Sequence, residues 1–370
     1  MDSILERPTQ LEIDLDILCN NYNIIATHVY PRPVMAVLKA NAYGHGIMHV
    51  AQALVNKTNC SYFAVAYLEE GILLRESGIY LPILVLGGII GEQIPLFLEY
   101  DLIITASSIE KLYAIQESAN NMKKKARVHL KIDTGMERIG VHYYSADQFI
   151  QCALSLDMIK IEGVFSHFSC SDEPDATTTN IQLQRFLGTI SSSQLGIRHI
   201  ANSGAVLQFP HTWLDMVRVG ISLYGISPNP SIPLLEGIRP AMRWTSRIVY
   251  FKVIPPNASV SYGGTWISNK QTRIVTVPVG YGDGYQRRMS GSAYVLIRGK
   301  RYPVVGAICM DQLMVDIGWD EAYNGEEVVL LGEQGTEKIC TQEHAQWAQT
   351  ITYEILCAIN NRVPRVYKNA

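Results

Sequence analysis

Eight short apolar runs punctuate the first two-thirds of the chain, and their lack of alternation constrains the fold more than any other feature. They are Val34–Leu38, Tyr62–Tyr67, Ile83–Leu86, Leu102–Thr105, Arg127–Ile132, Ile161–Ser166, Arg198–Ala201 and Val217–Leu223. A strand with one wet face alternates apolar and polar residues. A run that does not alternate and stops at turn residues suits a parallel strand covered on both faces. Helical patterns lie between the runs. Ser107 with Glu110 and Ser145 with Gln148 have capping-box spacing, and Leu183, Phe186, Leu187 and Ile190 keep to one helix face. Eight strands, most followed by a helix, predict an α/β fold of the (β/α)8 TIM-barrel type. An open doubly wound sheet shares the alternation and stays open on strand count alone.

The pattern changes after about Pro230. Ser227–Pro233 is rich in Pro, Asn and Ser and reads as a connector. Beyond it, Arg243–Ile254, Arg273–Val279, Tyr294–Arg298, Pro303–Ile308, Leu313–Ile317 and Val328–Leu331 are rich in β-branched residues and joined by turns such as Arg298–Gly299–Lys300. A helix is expected from about Gln342 to Thr350, before the last strands. The expected organisation is a barrel domain over residues 1–232 and a mainly β domain over 233–370.

Composition narrows the function. In 370 residues, 48% are hydrophobic and 18% charged, which excludes disorder and implies a large core. The net charge of -3 leaves no basic excess to neutralise a phosphate backbone, so nucleic acid is not the expected partner. Cys19, Cys60, Cys152, Cys170, Cys309, Cys340 and Cys357 are scattered, odd in number and never spaced C-x-x-C. That argues against a disulfide framework and for a reducing, cytoplasmic setting. Met1 to Gln10 lacks an apolar leader core, and the apolar stretch Leu81–Leu98 is broken by Pro82, Glu92, Gln93 and Pro95, so neither secretion nor membrane insertion is expected. His167–Phe168–Ser169–Cys170 offers two metal ligands without a second pair, so no metal site is expected. Gly280, Gly282 and Gly284 lie in a β region without dinucleotide spacing and are expected to shape a turn.

Lys39 closes the first apolar run, at the strand end where barrel enzymes build active sites. Apolar walls lower an ammonium pKa, as a lysine that bonds a carbonyl requires. Taken alone, a lysine at a strand end more often snorkels to water. The wording around it is more specific. Ala36–Val37–Leu38–Lys39–Ala40–Asn41–Ala42–Tyr43–Gly44–His45–Gly46 resembles the cofactor signature of alanine racemases, fold-type III enzymes dependent on pyridoxal 5′-phosphate. The resemblance runs nearly end to end. It includes residues 130–140 (LKIDTGMERIG), Ser166–His167–Phe168, Ala201–Asn202–Ser203, residues 216–221 (MVRVGI), residues 260–265 (VSYGGT), residues 279–285 (VGYGDGY), residues 308–312 (ICMDQ) and Tyr353–Glu354, in the family's order.

The resemblance implies a role for each position. Lys39 is the lysine that bonds the cofactor and acts as one base; Tyr262 is the opposing base. Racemisation removes a proton from one face of a carbon and returns it to the other, which two opposed bases do without a swing across the ring. An ordinary tyrosine pKa is ≈ 10, so Tyr262 needs a partner, and His167 matches the family histidine that contacts it. Arg218 matches the arginine facing the pyridine nitrogen; a guanidinium only donates, so that nitrogen stays unprotonated. Ser203, Gly220, Ile221, Tyr43 and Tyr353 match the phosphate end, after the seventh and on the eighth strand, where barrels commonly bind phosphate. Arg138 and Met310 match substrate-carboxylate contacts, with Asp311 beside Met310. Lys131 matches a lysine often carbamylated, a form that would hold Arg138 rather than repel it. Asp172, Tyr281 and Arg287 match an access corridor, and Ala307 stands where the family often has an arginine.

The function implied is interconversion of L- and D-alanine in a homodimer, supplying D-alanine for cell-wall peptidoglycan, with Tyr262 and Met310 reaching the partner's site. A serine or broad-specificity racemase is the alternative. A non-catalytic vitamin B6 carrier would resemble the first domain only, and a barrel decarboxylase would be longer with a Cys-Asp motif near its end.

Overall fold

The structure is a computed structural model describing residues 7–190 and 195–369; of the N-terminal stretch considered above for a leader, residues 1–6 lie outside it. The chain divides into two compact units. One takes in Ile17–Ala42 and Gly46–Arg239; the other takes in residues up to Asp16, Tyr43–His45 and Pro240 onward.

In the first unit every one of the eight apolar runs overlaps a strand: Val34–Val37, Tyr62–Val65, Ile83–Val85, Ile103–Ala106, Ala126–Asp133, Ile159–Phe165, Ile197–His199 and Val217–Val219. They pair in parallel and nearly in sequence order, with Val217–Val219 beside Val34–Val37. The ring closes at the last seam through two backbone bonds, Asp215 N–H to the Arg198 carbonyl (3.1 Å) and Arg218 N–H to the Ala201 carbonyl (3.0 Å). This is the nearly closed eight-stranded barrel that the unalternating runs predict, not an open sheet. Five of the strands are buried at every residue, because helices cover the outside while side chains fill the inside.

Details differ from expectation. The helix Ile109–Met122 is capped by Ser108 rather than Ser107: the Ser108 hydroxyl accepts from Lys111 N–H at 3.2 Å. Ser145 does stand at the start of Ala146–Ser155, but its side chain makes no cap bond. On the helix Thr177–Thr189, Leu183 and Phe186 are buried while Leu187 is 43% exposed, and Ile190 lies just past the end. The run Val217–Leu223 is strand only to Val219; Gly220 leaves the extended region and Ile221–Tyr224 coils into a short 3-10 turn.

The second unit is a mainly antiparallel sheet of ten strands. Its expected strands are present, with Arg243–Ile254 divided into Met242–Arg247 and Tyr250–Ile254. The expected late helix is Thr341–Ala348; a second helix, Thr352–Ala358, follows before the last strand, Arg365–Lys368. The division of the chain differs from the expected 1–232 and 233–370. The first unit runs to Arg239, and Gln10–Asp14, expected in the barrel domain, is a strand of the second. It sits between Met242–Arg247, antiparallel, and Arg365–Lys368, parallel. Only there can Leu11 and Ile13, both fully buried, leave water while every backbone group of the strand finds a partner.

Candidate active site

Within the barrel unit the expected residues gather at the ends of strands. Lys39 follows the first strand and is half-buried. It opens a turn in which Ala40, Asn41 and Ala42 have φ 54° and Tyr43 has φ 51°. A left-handed turn of residues with a Cβ costs roughly 1–2 kcal/mol per residue, so its surroundings must hold it. Asn41 does part of this: its carbonyl accepts from Gly46 N–H and its side-chain oxygen from Ile47 N–H, both at 2.9 Å.

Arg218, on the last strand, is buried. One terminal nitrogen, Nη1, lies 2.7 Å from His199 Nδ1. The other, Nη2, donates to the carbonyls of Ser166 (2.8 Å) and Ile200 (3.0 Å) and reaches His167 Nδ1 at 3.2 Å. Because arginine only donates, it fixes the tautomers around it. His199 Nδ1 must accept, so its proton is on Nε2, which faces His129 Nδ1 at 2.8 Å. His129 therefore carries its proton on Nε2 and donates to the Tyr62 hydroxyl at 3.1 Å. Burial, reinforced by Arg218, pushes His129 down to about 3 and His199 well below the ordinary histidine range, so both rings are neutral. Phe165 stacks on His199 at 5.0 Å, and its ring lies 5.3 Å from both the Lys131 amine and the Arg218 guanidinium. The result is a polar file through the barrel, from Tyr62 to Arg218, with every nitrogen assigned.

His167 also has its proton on Nε2, since Nδ1 accepts from Arg218. Burial holds it far below its ordinary pKa, and Arg218, Arg138, Lys131 and Lys39 all add to the effect. Lys131 is buried, with its amine on the Ile132 carbonyl at 2.9 Å. Burial, opposed by Asp133 and helped by Arg218 and Arg138, brings its pKa down to about 7. Asp133 itself accepts from the N–H groups of Gly135 (2.8 Å), Met136 (3.0 Å) and Arg138 (3.2 Å), which shapes the loop that presents Arg138. Burial raises its pKa, but those amides and Lys131 outweigh the effect and hold it low.

Ser203 begins the short helix Ser203–Gln208, and its hydroxyl accepts from Gly220 N–H at 3.0 Å. Ser222, in the turn that Gly220 and Ile221 open, has a buried hydroxyl with no partner. Asp172 lies half-buried in the loop beside Ser171, against which Gly204 packs so closely that a Cβ would fall 2.5 Å from the Ser171 carbonyl.

In the other unit, Tyr43 and Tyr353 meet with ring centroids 6.1 Å apart. Tyr262 stands 70% exposed on a tight turn. Ser261 before it has φ 66°, and its hydroxyl donates to the Ala307 carbonyl at 2.6 Å. Ala307 is buried, so its backbone rather than a side chain serves this loop. The Gly280–Gly284 segment is a turn, as expected. It binds the Met310 loop through Tyr281 N–H to the Cys309 carbonyl (3.0 Å) and Gly282 N–H to the Met310 carbonyl (2.9 Å). A Cβ on Gly280 would fall 2.2 Å from the Cys309 carbonyl, which explains the glycine. Buried Asp283 accepts from Arg7 (2.6 Å) and Arg362 (2.7 Å), and Arg362 also binds Asp311. Arg287 is exposed nearby in sequence, on the turn Arg287–Met289.

Sequence reading did not find Tyr62, His129, His199, Asp133, Glu70, Asp283 or Arg362. Only Asp133 and Asp283 lie inside recognised motifs. Among the described residues no group of three or more His, Cys, Asp or Glu stands together to hold a metal ion, and no helix is long and apolar enough to cross a membrane.

The chain matches the family model of the alanine racemase N-terminal domain over residues 13–228 and that of the C-terminal domain over residues 241–367. An alanine racemase of Halothermothrix orenii is 42% identical, over 100% of this chain and 99% of the relative. The solved alanine racemase of Clostridium difficile 630 superposes with a TM-score of 0.92 at 38% identity, covering 98% of this chain and 96% of that one. That of a D-cycloserine-producing Streptomyces lavendulae superposes with a TM-score of 0.94 at 34% identity, covering 99% and 98%. A parallel barrel with these residues at its strand ends, followed by an antiparallel sheet unit, defines the barrel-type amino-acid racemases. Within that class, the chain belongs to the alanine racemase family.

Proposed function

We propose that this chain interconverts L- and D-alanine by two-base proton transfer, with pyridoxal 5′-phosphate as cofactor and a second copy completing each site. Arg218 carries the reading. It is a buried cation whose partners are imidazole nitrogens and carbonyls, all neutral acceptors, and burial lowers its pKa to about 9. Such a donor suits an unprotonated pyridine nitrogen and would not tolerate a protonated one. The partnerless Ser222 hydroxyl beside Gly220 and Ile221 suits a phosphate oxygen in the same way, next to Ser203. By the family resemblance Tyr43 and Tyr353 are the remaining phosphate ligands.

The cofactor, when bound, supplies an electron sink that makes the substrate α-hydrogen acidic. The chain supplies the rest. The Lys39 amine takes or returns the proton on one face, and Tyr262, from the partner copy, does so on the other. His167 offers Nε2–H, a donor that steadies a phenolate on Tyr262. Arg138 and the Met310 amide bind the substrate carboxylate. Lys131, with its pKa near neutrality, is available as the free amine that adds carbon dioxide, and the resulting carbamate would accept from Arg138. A high-resolution density map with an unmodified Lys131 would refute that last point. Asp172, Tyr281 and Arg287 line the access corridor, which lacks a cation at Ala307.

The product serves peptidoglycan synthesis in the cytoplasm, a setting consistent with the free cysteines. Tyr353 is a bulky wall that favours alanine over longer side chains, and turnover of alanine, serine and lysine side by side tests this. The decisive experiment is L-alanine in D2O with the purified protein, following α-deuteration and optical rotation together. Loss of rotation with deuterium uptake is expected. Neither change, with cofactor bound, would mean a carrier.

A further inference from the structure

We propose that Glu70 is a positioning residue for Lys39, acting through the left-handed turn that follows it; the inference rests on reading Lys39 as the lysine that bonds the cofactor. Residues 40–43 are the longest run of positive φ among the described non-glycine residues, and of their side chains only that of Asn41 favours it. The turn starts at Ala40, whose N–H has no place in the barrel ladder, because the first strand ends at Val37. That N–H donates to Glu70 Oε1 at 2.6 Å.

The other oxygen, Oε2, accepts from Ala66 N–H at 2.8 Å and from Tyr67 N–H at 3.3 Å. Glu70 lies in the first turn of the helix Leu68–Glu76, where a glutamate ordinarily caps only its own helix. Here one carboxylate ties the exit of the first barrel strand to the exit of the second, Tyr62–Val65, which is also its ladder neighbour. The Ala40 N–H and the Lys39 carbonyl share one peptide plane. Fixing that N–H fixes ψ of Lys39, and with it the direction from which the Lys39 side chain sets out. The carboxylate is needed as well as the length: glutamine would keep one acceptor and turn a donor toward one of the two loops.

Hydrogen exchange of the cofactor-free protein tests this without catalysis. In Glu70→Gln, peptides covering residues 39–46 should exchange roughly 10-fold faster, while the strands Ile103–Ala106 and Ala126–Asp133 keep wild-type rates. In the loaded enzyme, kcat should fall roughly 10- to 100-fold with KM changed by less than about threefold, and borohydride trapping of cofactor on Lys39 should slow. Glu69→Gln alters the charge of the same helix turn from an exposed position and should change none of these. Glu70→Asp keeps the helix-capping charge but is too short for both loops, so it covers the case where Glu70→Gln fails to fold. Wild-type exchange at 39–46 in these variants, or a KM effect with kcat intact, overturns the proposal. If wild-type trapping labels a different lysine, the reading of Lys39 falls instead, and the exchange result still decides whether Glu70 holds the turn.

Discussion

The two units hold their functional residues in opposite ways. In the barrel, Arg218, Lys131, His129 and His199 are buried and bonded to one another's neighbourhood, so each is oriented before any ligand arrives. In the sheet unit, Tyr262 is 70%, Met310 52% and Tyr281 42% exposed, on loops braced from behind by Ser261, Gly280 and the Asp283–Arg362 pair. The barrel residues are finished inside the chain, and those of the sheet unit are presented outward on a stiff support. That contrast is what the proposed sharing of the site between two copies requires: a pocket, and a plug for another chain's pocket.

The largest effects test that sharing. Lys39→Ala and Tyr262→Phe should each lower racemisation by roughly 10²- to 10⁴-fold or more. Refolding the two inactive variants together should then recover about a quarter of wild-type sites, since half the dimers are hybrids with one intact site of two. No recovery on mixing would mean that each chain completes its own site. Next, Arg218→Glu should increase the long-wavelength absorbance of the substrate-loaded enzyme, because a carboxyl group lets the ring nitrogen take a proton. An unchanged spectrum would remove the argument from Arg218.

Acid should separate the units. His129, His167 and His199 in the barrel have pKa values depressed below the unfolded value near 6.5, His129 to about 3. The unfolded chain binds those protons and the folded chain does not. Their neutral burial therefore costs nothing above pH 6.5 and lowers stability as pH falls below it, by about 1.4 kcal/mol per pH unit for His129 down to about 3 and in the same direction for His167 and His199. In the sheet unit His344 is depressed less than His129, to about 4. Hydrogen exchange at pH 5 should rise first in the barrel strands, and equal rises in both units would contradict the contrast. The smallest effect expected is Tyr62→Phe, which strands the His129 Nε2–H at the end of the polar file. It should cost about 1–3 kcal/mol in urea unfolding with activity nearly kept.

Much of the fold was legible because burial on two faces leaves a local mark. Each barrel strand is a run that a reader can find without knowing its neighbours. Gln10–Asp14 was not legible: it has only Leu11 and Ile13 to bury, and its partners lie more than two hundred residues away. The site divides the same way. Lys39, Tyr262 and Arg218 stand in contiguous motifs, and their roles came from the resemblance rather than from periodicity. His129 and His199 are single polar residues in apolar strands, seventy positions apart, and only barrel closure makes them partners. Glu70 could be found as a capping glutamate, but the bond that matters reaches Ala40, thirty positions back.

The placement of Gln10–Asp14 has a consequence for biosynthesis. It leaves the ribosome more than two hundred residues before one neighbour, Met242–Arg247, and more than three hundred before the other, Arg365–Lys368. At about 5–20 residues per second, its buried edge waits on the order of tens of seconds, while the barrel has all its strands long before. A nascent chain of this protein therefore carries an unpaired strand, and chaperone capture or early degradation should focus on that strand until Arg365–Lys368 emerges.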